Sequence, residues 1–107
     1  MSQIIKQIQP SGILDSTKAG QFRDEVSALV QSGADTILID LKDVTFIDSS
    51  GLGALVAALK TVRSAGGKLL ICSINEQVRM LFELTSMDRV FEVLSSREEF
   101  ERQLNSD

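Results

Sequence analysis

The 107-residue sequence contains no histidine, tryptophan or tyrosine, and it has only one proline and one cysteine. Histidine is the commonest general base near neutral pH and a common metal ligand, so its absence argues against most hydrolase and metalloenzyme functions. With Cys72 alone, neither an intramolecular disulfide nor a paired-cysteine redox or zinc motif can form. This cysteine usage fits a reducing compartment, and we expect a cytoplasmic protein.

Long hydrophobic runs and an excess of basic charge are also missing. The longest nearly apolar run, residues 52–59, is far shorter than the roughly 20 residues that cross a bilayer. The first residues mix polar and apolar side chains, which is unlike a secretory signal peptide. Because the formal net charge is -4 and 24% of the residues are charged, we expect neither nucleic acid nor a membrane as a partner.

The residues that are present predict one α/β domain over residues 1–107. Hydrophobic residues make up 43% of the chain, which is enough for one core. Strand-like and helix-like patterns alternate along it. This alternation predicts a single-layer, mixed but mainly parallel β-sheet with about four helices packed on it.

The patterns also place the individual elements. Strands are predicted at residues 3–9, 36–41, 44–47, 68–72 and 89–94. Helices are predicted to begin near residues 15–17, 48–51, 73 and 96, and to end near residues 33, 66, 84 and 105. The last start is predicted by Ser96 and Glu99, which match a capping box: the serine hydroxyl accepts from the Glu99 N–H, and the glutamate carboxylate accepts from the Ser96 N–H. Pro10 places the first strand at a sheet edge or ends it early, and Met80, Met87 and all five phenylalanines have spacings typical of core positions.

The most informative motif is the strand-to-helix corner Asp48-Ser49-Ser50-Gly51-Leu52-Gly53. A helix N-terminus presents unpaired N–H groups and the positive end of its dipole, so a phosphate attached to a serine there is tolerated. The alternative is that Ser49 or Ser50 is only an N-cap, worth about 1 kcal/mol to the helix. On the motif alone the capping interpretation is favoured.

Other motifs indicate no catalytic residue, metal site or cofactor. Gly51-Leu52-Gly53 resembles the start of a dinucleotide-binding fingerprint, but Val56 stands at the third glycine position. Asp40, Asp43 and Asp48 could be imagined as a metal-binding or acid/base cluster, but a solvated polar rim is the favoured interpretation, because Asp40 lies in a strand-like run and aspartate is common in turns such as that of Asp43. Cys72, within an apolar strand and without a histidine to pair with, is interpreted as a small buried hydrophobic residue.

Several motifs in one order resemble the bacterial anti-sigma-factor antagonists, which are STAS domains. The stretch of residues 41–53 resembles the core of that family. Gly12-Ile13-Leu14-Asp15 is similar to the family's turn before the first helix, Gly66-Gly67-Lys68-Leu69 to its helix-to-strand turn, and Val78-Arg79-Met80-Leu81-Phe82 to its third helix. The resemblance covers roughly residues 8–100.

The resemblance implies a partner-switching regulator with no catalytic activity of its own. The serine after the aspartate, here Ser49, is the family's phosphorylation target. The unphosphorylated form binds an anti-sigma factor that is also a serine kinase, the phosphorylated form is released, and a PP2C-type phosphatase resets it. The implied partner-binding residues are Asp15, Asp48, Ser49, Ser50, Gly51 and Leu52.

Two alternatives stay open. The same domain type serves as an unphosphorylated interaction module of scaffolds or transport complexes, and as a switch in pathways without a sigma factor. Family members usually begin with a longer strand or hairpin than the dozen or so residues found here before the first turn. An open sheet edge invites pairing with another chain, so both a monomer and a weak dimer are compatible with the sequence.

Overall fold

Six strands and four helices lie along residues 3–104, the part of the chain that this computed structural model describes. The strands are β1 (Ile5–Ile8), β2 (Gly12–Leu14), β3 (Thr36–Asp40), β4 (Val44–Ile47), β5 (Lys68–Cys72) and β6 (Glu92–Leu94). The helices are α1 (Ser16–Gln31), α2 (Ser49–Ser64), α3 (Glu76–Leu84) and α4 (Arg97–Leu104). One short 3-10 turn, Met87–Arg89, precedes β6.

The main sheet has four strands in the order β1-β3-β5-β6, and all three pairings are parallel. Every residue of β3 is buried. Ile37 and Ile39 lie in a large core with α1 and α2, whereas Leu38 lies in a smaller core with Phe100 of α4. Because successive side chains of a strand point to opposite faces, a strand covered on both faces needs apolar residues on both, as residues 37–39 provide between the buried polar ends Thr36 and Asp40. The predicted α/β fold class is confirmed.

A second sheet, which the sequence patterns did not reveal, consists of β2 and β4 paired in parallel. Leu14 and Ile47 are partners and point into the core, while Ile13 and Phe46 are partners and point outward. The sequence predicts only a turn at residues 12–15, because a three-residue strand is too short to show a period of two. Phe46 and Met80 are respectively 45% and 51% exposed, so their predicted core positions are wrong.

Several predicted element boundaries also shift. The third helix begins at Glu76 because Ser73 has a left-handed φ of 63° and Asn75 is the N-cap. The last strand begins at Glu92 because the 3-10 turn occupies part of its predicted range. The predicted end of the last helix, residue 105, lies outside the described residues. β1 is an edge strand that ends at Ile8, as Pro10 predicted.

The predicted start of α4 rests on Ser96 and Glu99. The Glu99 N–H donates to Ser96 Oγ at 3.1 Å, but the Glu99 carboxylate accepts from Ser95 N–H and Oγ–H instead of completing the expected box with Ser96. Both bonds lower the pKa of Glu99, and the bond from the Ser95 N–H has the larger effect. Within residues 3–104, no helix is both long and apolar enough to span a membrane.

Candidate functional site

The N-cap of α2 is Asp48. Its Oδ1 accepts a hydrogen bond from the Gly51 N–H at 2.9 Å, and its carbonyl oxygen accepts from the Leu52 N–H at 2.9 Å. Ser49 and Ser50 are the first two helical residues, and both are exposed. Within residues 3–104, neither serine hydroxyl has a hydrogen-bond partner. The interpretation of Ser49 or Ser50 as the N-cap is therefore wrong, because the aspartate before them performs that function.

Gly51 allows the first turn of α2 to pack directly on β2. A Cβ atom at this position would lie 2.1 Å from the carbonyl oxygen of Leu14 and 3.0 Å from Cγ2 of Ile47. At Gly53, by contrast, a Cβ atom would meet nothing within 4 Å. Gly51 is thus required because the α2 backbone lies so close to the Leu14 carbonyl. This contact fixes the position of Ser49 relative to the β2–β4 pair.

The start of α1 lies beside the start of α2. Leu14 and Ile47 are paired, and the Asp48 N–H donates to the Leu14 carbonyl oxygen at 3.4 Å. Asp15, the residue after Leu14, is the N-cap of α1 and accepts from the Thr17 hydroxyl at 2.6 Å and the Thr17 N–H at 3.0 Å. Both bonds lower the pKa of Asp15, and the bond from the Thr17 hydroxyl has the larger effect. Two capping carboxylates therefore flank the exposed serines.

The other edge of β4 is held by side chains from the start of α3. The Ile47 N–H donates to Oε1 of Gln77, and Nε2 of Gln77 donates to the Ile47 carbonyl oxygen, both at 2.9 Å. Nδ2 of Asn75 donates to the carbonyl oxygens of Val44 and Thr45 at 3.1 Å. Gln77 thus takes the place of a neighbouring strand. This role of Gln77 could not be predicted from the sequence, because contacts between residues 30 positions apart leave no local pattern.

The remaining singled-out residues lie apart from this corner. Asp40 is only 1% exposed, and its carboxylate accepts a hydrogen bond from the Lys42 N–H at 3.0 Å, in the loop after β3. Its predicted place in a solvated rim is therefore wrong. Asp43 is exposed and accepts from Gln9 at 2.7 Å. Cys72 is buried as predicted, and burial raises the pKa of its thiol. Among the described residues, no group of three or more histidine, cysteine or acidic side chains could hold a metal.

The residues predicted to bind a partner form two sets. Ser49 and Ser50 are exposed, and Asp15 and Asp48 are partly exposed. Gly51 and Leu52 are buried beneath them. The accessible surface, which we call the Ser49 corner, therefore consists of Asp15, Asp48, Ser49 and Ser50.

The chain thus folds as a small α/β domain in which parallel strands bring two aspartate-capped helix starts together. Residues 2–100 match the family model of the STAS domain. The chain belongs to the STAS domain family.

Relatives and solved structures carry related names. The anti-sigma-B factor antagonist of Bacillus subtilis is 33% identical over 92 residues, which is 86% of this chain and 84% of the relative. The crystal structure of a candidate anti-sigma factor antagonist from Thermotoga maritima superposes with a TM-score of 0.85 at 30% identity, covering 92% of this chain and 86% of that one. The Bacillus cell fate determinant SpoIIAA in its phosphorylated form shares the fold, with a TM-score of 0.71, 21% identity, and coverage of 95% and 94%.

The close approach at Gly51 predicts opposite effects for two matched substitutions. Gly51→Ala should lower the free energy of unfolding by about 1–3 kcal/mol, because its methyl group overlaps the Leu14 carbonyl. Gly53→Ala, in the same helix but facing open space, should raise it by up to about 1 kcal/mol through helix propensity. Urea denaturation of the two variants measures the difference. Equal effects of the two substitutions would contradict the packing of α2 on β2.

The hydrogen bonds of Gln77 predict that Gln77→Ala loosens β4. It leaves the partly buried N–H and carbonyl of Ile47 without partners, and we expect a loss of about 1–3 kcal/mol in unfolding free energy. The exposed Gln21→Ala in α1 is the control and should stay within about 0.5 kcal/mol of the native chain. Hydrogen exchange at the Ile47 amide gives a direct readout. Unchanged protection of that amide in Gln77→Ala would refute the role of Gln77.

Proposed function

We propose that this protein is an anti-sigma factor antagonist switched by phosphorylation of Ser49. The unphosphorylated protein binds an anti-sigma factor that is also a serine kinase and so frees a sigma factor for transcription. Phosphorylation releases the antagonist, and a PP2C-type phosphatase restores it. The protein is a cytoplasmic signalling component and has no catalytic activity of its own.

The observation that carries the proposal is the exposed Ser49 hydroxyl on the first turn of α2. Because Asp48 caps the helix, the hydroxyl has no structural task within the described residues and is available to a kinase. A modification there leaves the cap intact. The helix N-terminus also favours added negative charge.

The charge around Ser49 explains how one phosphate would switch a partner. A phosphoserine carries about -1.5 to -2 charges at neutral pH. Asp48 directly precedes Ser49 and Asp15 caps the neighbouring helix start, so a phosphate would make the Ser49 corner strongly negative. Burying that charge in an interface is unfavourable because it must be desolvated and because it lies near other negative charges. Unfavourable charge contacts in interfaces typically cost several kcal/mol of binding free energy.

The accessible residues of the Ser49 corner make the direct partner contacts in this proposal. Gly51 and Leu52, which are buried, set the height and angle of the corner. The relative from Bacillus subtilis, matched over most of both chains, supports the general role through its name. The kinase, the phosphatase and the switch are inferences from the family resemblance and the geometry of Ser49.

The assignment of Ser49 predicts the outcome of a phosphorylation assay. Incubation with ATP in an extract of the native cell should add one phosphate, which fragmentation mass spectrometry places on Ser49. Ser49→Ala should abolish the addition, and the matched control Ser50→Ala should retain it. A phosphate on Ser50 alone, or none on the wild-type protein, would overturn the switch and favour an unmodified interaction module.

A charge mimic separates switching from folding. Ser49→Asp should leave the free energy of unfolding within about 1 kcal/mol of the native value, because an acid is tolerated at a helix N-terminus. It should weaken binding to the kinase found in the phosphorylation assay by tenfold or more, measured by calorimetry. Ser49→Asn, similar in size but uncharged, is the control and should bind within about threefold of the native chain. Equal loss for both variants would indicate a steric effect instead.

A further inference from the structure

Two large apolar side chains lie exposed next to the Ser49 corner. Ile13 is 49% exposed and Phe46 is 45% exposed. They are register partners in the β2–β4 pair, so their side chains are neighbours on its outer face. We call them the Ile13–Phe46 pair.

The chain path ties the Ile13–Phe46 pair to the Ser49 corner. In both strands the outward residue is followed by one inward residue, Leu14 or Ile47, and then by a helix-capping aspartate. Phe46 therefore stands three residues before Ser49. Pairing in β2–β4, the Gly51 contact and the Gln77 bonds all hold this outer face in a fixed relation to the serine.

Single exposed apolar residues are ordinary on protein surfaces and need no explanation. Ile4, just before β1, and Leu84, the last residue of α3, are such residues, and neither belongs to the β2–β4 pair. The Ile13–Phe46 pair differs because its two members are register partners and each is followed two residues later by a helix-capping aspartate, Asp15 or Asp48. An apolar centre with a charged rim is the usual layout of a protein-binding site, in which the centre supplies most of the affinity.

We propose that the Ile13–Phe46 pair is the apolar anchor by which the protein docks on its kinase partner. The matching partner surface has an apolar pocket bordered by lysine or arginine side chains that face Asp15 and Asp48. This inference rests on the proposed function and deepens it. The anchor holds the partner in place, and the phosphate on Ser49, at its border, opposes that docking.

The test measures the initial rate of Ser49 phosphorylation in the native-cell extract as the concentration of the chain is varied. Ile13→Ser and Phe46→Ser should each raise the half-saturating concentration at least tenfold and leave the maximal rate within twofold. Ile4→Ser and Leu84→Ser, exposed apolar residues outside the pair, are the matched controls and should change neither value more than twofold. Phe46→Leu, which keeps an apolar side chain, should stay within about threefold of the native protein.

The outcomes separate this inference from the proposed function. If the wild-type chain is phosphorylated on Ser49 but the pair variants saturate like the controls, the anchor is refuted and the switch stands. If the wild-type chain receives no phosphate on Ser49, the switch fails and the anchor falls with it. If sedimentation shows a dimer that Phe46→Ser dissociates, the pair is an interface between two copies, and docking of the kinase there is refuted. Urea denaturation of the variants identifies any that fail to fold; if Phe46→Ser is among them, Ile13→Ser decides the outcome, and if Ile13→Ser is among them, Phe46→Ser decides it.

Discussion

The packing of the first turn of α2 against the end of β2 is the contact on which the rest of the site depends. The absent side chain of Gly51 lets the helix approach the Leu14 carbonyl, and the same carbonyl accepts from the Asp48 N–H. This contact places two helix starts side by side, each capped by an aspartate. It leaves Ser49 exposed on the first turn of α2, where its hydroxyl has no hydrogen-bond partner among the described residues. The geometry that stabilises the fold therefore also exposes this serine to solvent.

The fold was largely predictable from the sequence where a pattern repeats over many residues. The continuous apolar run of β3 predicts a strand covered on both faces, and the periodic apolar face of α2 predicts its burial against the sheet. The β2–β4 pair was missed because a three-residue strand with an irregular register has no readable period. Asp40 was misplaced for a related reason, since nothing in a sequence shows that a carboxylate turns inward to bond its own loop.

The site was predictable in position but not in the roles of its atoms. The sequence singled out the corner, yet it offered Ser49 or Ser50 as the cap, and only the geometry shows that Asp48 takes this role. The role of Gln77 could not be predicted, because its side-chain amide bonds the backbone of Ile47, which is 30 residues away in the sequence. The exposure of Phe46 could not be predicted either, because an aromatic residue in a strand is usually buried. Only the structure, in which Phe46 pairs with Ile13, shows that its side chain points outward.

Reversible phosphorylation of Ser49 in the cell is what would make this protein a switch. Intact-mass spectrometry of the protein isolated from its native cell, followed by fragmentation, measures this modification. We expect two populations that differ by one phosphate, with the phosphate on Ser49. A single unmodified population under every growth condition, or a phosphate confined to another residue, would show that Ser49 is not the switch.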